Sequence, residues 1–347
     1  MNEKPRVLIA AAAAIDEQIA MLRNAGCEVL VAEEPLEEGI DTLLPACHGV
    51  CLGIYRITED LLQRCPHLIV VARHGVGTDN VDVEAATRLG IYVTRTPGAN
   101  ANAVAEFTLG AVISLSRSIV EGDRRMKRGE WRHPSLWGWE LSGKTMGIIG
   151  LGQVGQRTAR FANAFGMEVL AHDPYQDDSI FKAAKATRTD LEELVSRSQY
   201  LCVHTSLTKE TKGLLDRRKL DMMPKGSYLI NMARAEVVDG KALKILLDSG
   251  HIAGAALDVF EEEPPKNWEL AHHPHVLATP HIAAFSHEAR KGMCLGAASE
   301  VIAALRGQRP ANAVNDPKSP RIRQLIEPQA VEALNRSKNM SKKDLTP

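Results

Sequence analysis

Short apolar runs alternate with amphipathic stretches from the first residues onward. Residues 7–12 read as a buried strand, and 16–25 as a helix with Ile19 and Leu22 on one side and Gly26 as its stop. Further strands are expected at 29–32, 49–53 and 68–71. The same alternation restarts at Thr145, with strands expected at 145–149, 168–171, 200–204, 227–232 and 255–259 and a last helix over 287–305. Strands separated by helices fold as parallel sheets covered on both faces, so the pattern implies two doubly wound α/β segments. Read along the chain, the last helix follows the second sheet. No internal repeat is visible in the sequence, and the segment 331–347 is polar and expected to be disordered.

The N-terminus carries two basic residues, then nine apolar ones, then acids. A short signal peptide has that order, but Glu3 sits in the would-be basic region and the next segment continues the strand–helix pattern. A buried first strand is the better reading. No run approaches the ~18 apolar residues of a membrane span.

Composition narrows the partners. The chain has 347 residues, which suits two domains. Its 42 basic and 43 acidic residues give a net charge of −1, so charge offers no reason to expect nucleic acid or an anionic membrane. Six cysteines, at 27, 47, 51, 65, 202 and 294, form no C-x-x-C, which suits reduced thiols in a cytoplasmic protein.

The stretch TMGIIGLGQVGQRTARF holds Gly150, Gly152 and Gly155 in the order G-x-G-x-x-G. Alone this is a weak signal, and its surroundings decide it. An apolar strand precedes it, and Val154, Thr158, Phe161, Ala162 and Phe165 follow at helical spacing. Asp173 closes the next strand, 18 residues past Gly155. Gly150 suits the tight turn, Gly152 the close approach of a pyrophosphate, and Gly155 the packing of helix on strand. The helix N-terminus attracts phosphate, and Asp173 would accept from a ribose 2′-hydroxyl and repel a 2′-phosphate. NAD is therefore the expected cofactor, ahead of NADP.

NAD implies hydride transfer, which calls for groups that polarise a carbonyl and move a proton. Arg234 in INMARAEVVDG, Asp258 and Glu263 in ALDVFEEEP, and His281 in ATPHIAAF each fall just past a strand end, where ligands bind in open α/β sheets. A histidine is the natural acid for a carbonyl, a carboxylate would fix its ring, and an arginine can fork onto a carboxylate. Taken singly, each also fits a surface or salt-bridged residue. His272, His273, His275 and His281 raise the thought of a metal, but Cys and acidic residues are missing at ligand spacing, so no metal is expected.

These segments, together with RHGVGTDNVDVEAATRLGIYVTRTPGANANAVAEFTLG, GEW and VHTSLTKETKGLL, make residues 50–310 resemble the D-isomer-specific 2-hydroxyacid dehydrogenases. That family includes D-3-phosphoglycerate dehydrogenase, glyoxylate/hydroxypyruvate reductase and D-lactate dehydrogenase. The resemblance implies that Arg234 binds the substrate carboxylate and carbonyl, that Glu263 pairs with the acid/base His281, and that Asp258 meets the nicotinamide carboxamide. It implies nucleotide contacts from Gln153, Val154, Thr205, Met232, Ala233, Arg234, His281 and Ala283 besides the glycines and Asp173. Backbone N–H groups at Gly75, Val76 and Gly77 would hold the substrate carboxylate. It further implies that a Rossmann NAD domain, residues 100–283, is inserted into a flavodoxin-like substrate domain, residues 1–99 and 284–330, with small-acid substrates and a homodimer paired through the NAD domains. Arg234-Ala235 and His204-Thr205-Ser206 depart mildly from the family pattern. Leu52-Gly53 stand where phosphoglycerate dehydrogenases carry Arg-Ser, while Arg73 matches an arginine of theirs; Arg73, with Arg56 or His74, is expected to face a second polar or anionic group on the substrate. The fold also serves NAD-gated transcriptional corepressors, whose peptide-docking surface is not recognisable in residues 1–60.

Overall fold

A computed structural model describes residues 4–10, 14–32, 36–322 and 324–326; the polar segment 331–347 lies outside them. The chain divides into two compact units, one of Met1–Asn100 with His287–Pro347 and one of Ala101–Ser286.

The first unit is built on five parallel strands: β1 (Arg6–Ala10), β2 (Glu28–Val31), β3 (Gly49–Leu52), β4 (Val70–Arg73) and β5 (Tyr92–Thr94). Their order is β2-β1-β3-β4-β5. Successive side chains point to opposite faces, so each strand feeds two cores. Leu8, Val50, Leu52, Val71 and Val93 pack on one face. Val7, Ile9, Cys51, Val70 and Tyr92 pack on the other, against Ala297, Val301 and Leu305 of the helix His287–Leu305. That helix thus belongs to the first sheet, not to the second sheet it follows in sequence. Small residues make the contact possible: a Cβ on Gly49 would lie 2.9 Å from Val301.

The second unit carries seven parallel strands: β6 (Thr145–Ile149), β7 (Glu168–His172), β8 (Thr187–Arg188), β9 (Tyr200–Val203), β10 (Ser227–Asn231), β11 (Ile252–Leu257) and β12 (Val276–Ala278). Their order is β12-β11-β10-β9-β6-β7-β8. The chain runs outward from β6 to β8, then crosses back to β9 on the other side of β6. The carboxyl ends of β6 and β9 therefore flank the point where the strand order reverses, which is where such sheets bind ligands. Strands β5, β8 and β12 escape the hydrophobic pattern because they are two or three residues long. Among the described residues no single helix is long and apolar enough to cross a membrane; the bent pair Ala101–Ser116 and Ile119–Lys127 meets length and composition only together.

Candidate active site

At the end of β6 the backbone turns through Gly150 at φ +92°, a left-handed conformation that favours glycine. A Cβ there would also lie 2.8 Å from the backbone of His204, just past β9. A Cβ on Gly155 would lie 2.1 Å from the Gly150 carbonyl oxygen, so the helix Gln153–Ala164 seats directly on the turn. Gly152 differs: a Cβ there would meet open space, and this N-cap residue makes no side-chain cap. The helix N-terminus thus presents backbone donors into open space, a ready anion cradle. Asp173 completes it, its Oδ2 accepting from Leu151 N at 2.8 Å and its Oδ1 from Tyr175 N at 3.0 Å. A cradle with room only at Gly152, next to a carboxylate fixed at the neighbouring strand end, fits a dinucleotide.

The candidate catalytic side chains gather at the carboxyl ends of β10, β11 and β12. Asn231 closes β10 and folds the next turn on itself. Its Oδ1 accepts from Ala233 N at 3.0 Å and its Nδ2 donates to the Arg234 carbonyl at 2.8 Å. Asp258, just past β11 and 1% exposed, binds the segment after β12. Its Oδ1 accepts from Thr279 Oγ1 (2.6 Å) and Ile282 N (2.9 Å), and its Oδ2 from Ala283 N (2.8 Å). That clamp holds His281 at φ +54°, an uncommon conformation for a residue other than glycine and one that surrounding bonds must impose.

His281 Nδ1 then lies 2.6 Å from Glu263 Oε2, with the two side chains 36% and 29% exposed. Burial pushes the Glu263 carboxyl up, but the His281 hydrogen bond and charge, the Phe260 N–H and the Arg234 charge outweigh it, and the net direction is below the ordinary value of 4.5. With Nδ1 committed to the carboxylate, Nε2 is the ring atom left for proton transfer. Of the residues expected around the nucleotide, Thr205 follows β9, Met232 and Ala233 follow β10, and Ala283 is bound to Asp258.

In the first unit, Arg73 ends β4 and is only 6% exposed. Its Nε donates to the Gly77 carbonyl at 3.0 Å and its Nη1 to the Leu52 carbonyl at 3.2 Å. Thr96 grips the same turn, its Oγ1 accepting from Gly75 N at 2.9 Å and its backbone N donating to the Gly75 carbonyl at 2.8 Å. Gly75 sits at φ +143°. His74 meets Gln18 Nε2 through its own Nε2 at 3.0 Å; burial and the Arg73 charge push this imidazole down to about 4, so it is neutral near pH 7.

The extra histidines have other partners. His273 Nε2 lies 3.2 Å from Asp248, and His272 stacks on Trp268. Among the described residues no group of three or more His, Cys, Asp or Glu stands together as a metal site. Asn231 and Thr96 position the site through bonds to backbone groups and Thr279 through its hydroxyl on Asp258, and nothing in their residue type or spacing marked them out.

Residues 109–283 match the family described as D-isomer specific 2-hydroxyacid dehydrogenase, NAD binding domain. The chain belongs to that family. The glyoxylate reductase of Thermofilum pendens is 39% identical over 308 residues, covering 86% of this chain and 91% of the relative. The D-3-phosphoglycerate dehydrogenase of Methanocaldococcus jannaschii is 39% identical over 306 residues, covering 88% of this chain but only 58% of the relative. For the Bacillus subtilis enzyme of the same name that share is 50%, so this family member spans about half the length of such relatives. Among solved structures, the TT0316 protein of Thermus thermophilus matches with a TM-score of 0.81 at 35% identity, covering 89% of this chain and 100% of that one. The D-lactate dehydrogenase of Aquifex aeolicus complexed with NAD and lactic acid matches with a TM-score of 0.79 at 27% identity, covering 90% and 100%. NAD is the cofactor to which this family's nucleotide domain is fitted.

Proposed function

We propose that this chain is an NAD-dependent oxidoreductase that interconverts a small 2-keto acid and its D-2-hydroxy acid. The observation that carries the reading is the Glu263–His281 pair, fixed by Asp258 at the carboxyl ends of the sheet that bears the glycine cradle. When bound, NAD supplies the hydride acceptor or donor. Gly150, Gly152, Gln153, Val154 and Gly155 hold its pyrophosphate, Asp173 its ribose, and Thr205, Met232, Ala233 and Ala283 line its path, with Asp258 beside the carboxamide.

In the reducing direction His281 delivers a proton from Nε2 to the carbonyl oxygen. Glu263 keeps Nδ1 protonated and the ring aimed, and stabilises the positive charge before the transfer. Arg234 forks onto the substrate carboxylate and carbonyl oxygen. The N–H groups at Val76 and Gly77 are assigned the carboxylate, the Gly75 N–H being already given to Thr96 Oγ1, and Arg73 stands behind that turn and holds it through the Gly77 carbonyl. Its Nε and Nη1 bonds to backbone carbonyls favour glyoxylate or hydroxypyruvate over a phosphorylated keto acid. On this reading 101–286 is the NAD domain, and 1–100 with the segment from 287 is the substrate domain.

A homodimer paired through the NAD domains is part of the proposal. Trp131, Trp137 and Trp139 are 68%, 88% and 60% exposed on a segment whose backbone is pinned at Trp139. Trp139 N donates to the Ser116 carbonyl at 2.9 Å, and Ser116 Oγ donates to the Trp139 carbonyl at 2.7 Å. Exposed aromatics of this kind are enriched at interaction surfaces. The six buried cysteines suit the reducing cytoplasm.

The test is an assay at 340 nm with NADH or NADPH against glyoxylate, hydroxypyruvate, pyruvate and phosphohydroxypyruvate. Fast NADH oxidation with the first two supports the proposal. Tight NADH binding without turnover of any keto acid would replace it with an NAD-gated binding module.

A further inference from the structure

Asp173 is not held by β7 alone. Beyond it the chain loops through 174–177 before the helix Asp178–Ala184 and the two-residue edge strand β8. Arg188, in β8, pairs with Ala171 in β7 and returns its side chain onto that loop. Nη2 donates to the Gln176 carbonyl at 2.8 Å and to the Asp173 carbonyl at 3.3 Å, and Nη1 binds the Asp178 carboxylate. The guanidinium lies 4.6 Å over the ring of Phe181, itself only 3% exposed. An exposed ion pair such as the one with Asp178 contributes little by itself. A planar fork that spans two carbonyls and a carboxylate over an aromatic face fixes geometry, which a lysine would not reproduce.

We infer that Arg188 is a positioning residue of the nucleotide site: it fixes the loop that carries Asp173 and so sets the preference for NAD over NADP. The inference rests on the proposed role of Asp173 at the ribose. Both Asp173 carboxylate oxygens already accept backbone N–H groups, one from the glycine loop and one from its own turn. Their direction toward a 2′-hydroxyl therefore depends on where the Asp173 backbone stands, and Arg188 is the side chain that ties its carbonyl. A competing role exists, since the same cation would attract a 2′-phosphate. The two roles give opposite signs. Losing an attractive charge weakens NADPH, whereas losing the position of Asp173 weakens NADH.

The experiment measures dissociation constants for NADH and for NADPH by fluorescence titration of the intact chain, with Tm followed in parallel. Arg188→Leu and Arg188→Lys are made alone, and Arg188→Leu also in Asp173→Ala. Both single variants are expected to weaken NADH about tenfold and NADPH less than about twofold, as expected for loss of a bond that orients a charged group. In the Asp173→Ala background, Arg188→Leu is expected to change NADH binding by less than about twofold, since the two residues act as one unit. Arg188→Lys keeps the charge and decides the matter if the leucine variant does not fold. Wild-type NADH affinity in the lysine variant, equal weakening of both nucleotides, or additivity with Asp173→Ala would overturn the inference. If Asp173→Ala leaves the NADH preference intact, the ribose role of Asp173 has failed first and takes this inference with it.

Discussion

The carboxylate of Glu263 lies 2.6 Å from Nδ1 of His281, on a turn that Asp258 clamps with three hydrogen bonds, two to backbone N–H groups and one to the Thr279 hydroxyl. The histidine thereby has one ring nitrogen fixed and one offered. His281→Ala is expected to lower turnover by about 10²–10⁴-fold, the usual contribution of a positioned general acid. NADH affinity should change little. Steady-state rates at 340 nm beside a fluorescence titration check this, and a variant that keeps a tenth of wild-type turnover removes His281 from the acid role.

The depressed Glu263 carboxyl gives that pair a pH signature. A carboxyl held below its ordinary 4.5 in the folded chain adds stability at higher pH, and loses it as pH falls through the folded value. The Tm gap between wild type and Glu263→Gln should therefore be widest above about pH 4.5 and shrink at lower pH. A gap that widens on acidification would mean the carboxylate is not favoured by its neighbours.

His74 and His204 act in the same direction, over a higher pH window. Burial pushes both down to about 4 from an ordinary 6.5, with the Arg73 charge adding to the effect on His74. The unfolded chain takes up these protons near 6.5 and the folded chain resists, so stability should fall as pH drops from 6.5 toward 4. In the upper part of this window Glu263 stays ionised in both states and contributes a constant amount. Thermal melts of His74→Gln and His204→Asn should show flatter Tm–pH curves than wild type. Unchanged slopes would remove these two groups as the source of the acid sensitivity.

Gly152 and Gly155 should separate binding from folding. A Cβ on Gly155 meets the Gly150 carbonyl oxygen at 2.1 Å, while one on Gly152 meets open space. Gly155→Ala is expected to cost about 2 kcal/mol or more, a drop in Tm of several degrees, along with NADH affinity. Gly152→Ala is expected to keep the wild-type Tm and weaken NADH alone, because its methyl group enters the open space proposed for the pyrophosphate. Equal Tm losses in the two variants would show that the space above Gly152 is not free.

The sequence by itself determined what local physics controls. Apolar runs of four or five residues placed most strands within a residue or two, because buried parallel strands need continuous hydrophobic stretches. Gly150, Gly152, Gly155 and Asp173 were legible because a phosphate cradle demands glycine and an acid at set distances along one strand–helix–strand unit. Arg234, Glu263 and His281 were legible as strand-end residues, and only the family resemblance gave them roles.

The tertiary structure decided everything that depends on residues far apart in the chain. The helix His287–Leu305 looks in sequence like the end of the second sheet, yet it buries Ala297 and Val301 on the first, where Gly49 leaves room for it. β8 has two exposed residues and no hydrophobic signature, so only its pairing with β7 brings Arg188 to the Asp173 loop. Asp258 and Thr96 act by receiving or giving backbone hydrogen bonds across more than 20 residues. Such bonds depend on where the chain returns in space, and side-chain spacing carries no trace of that.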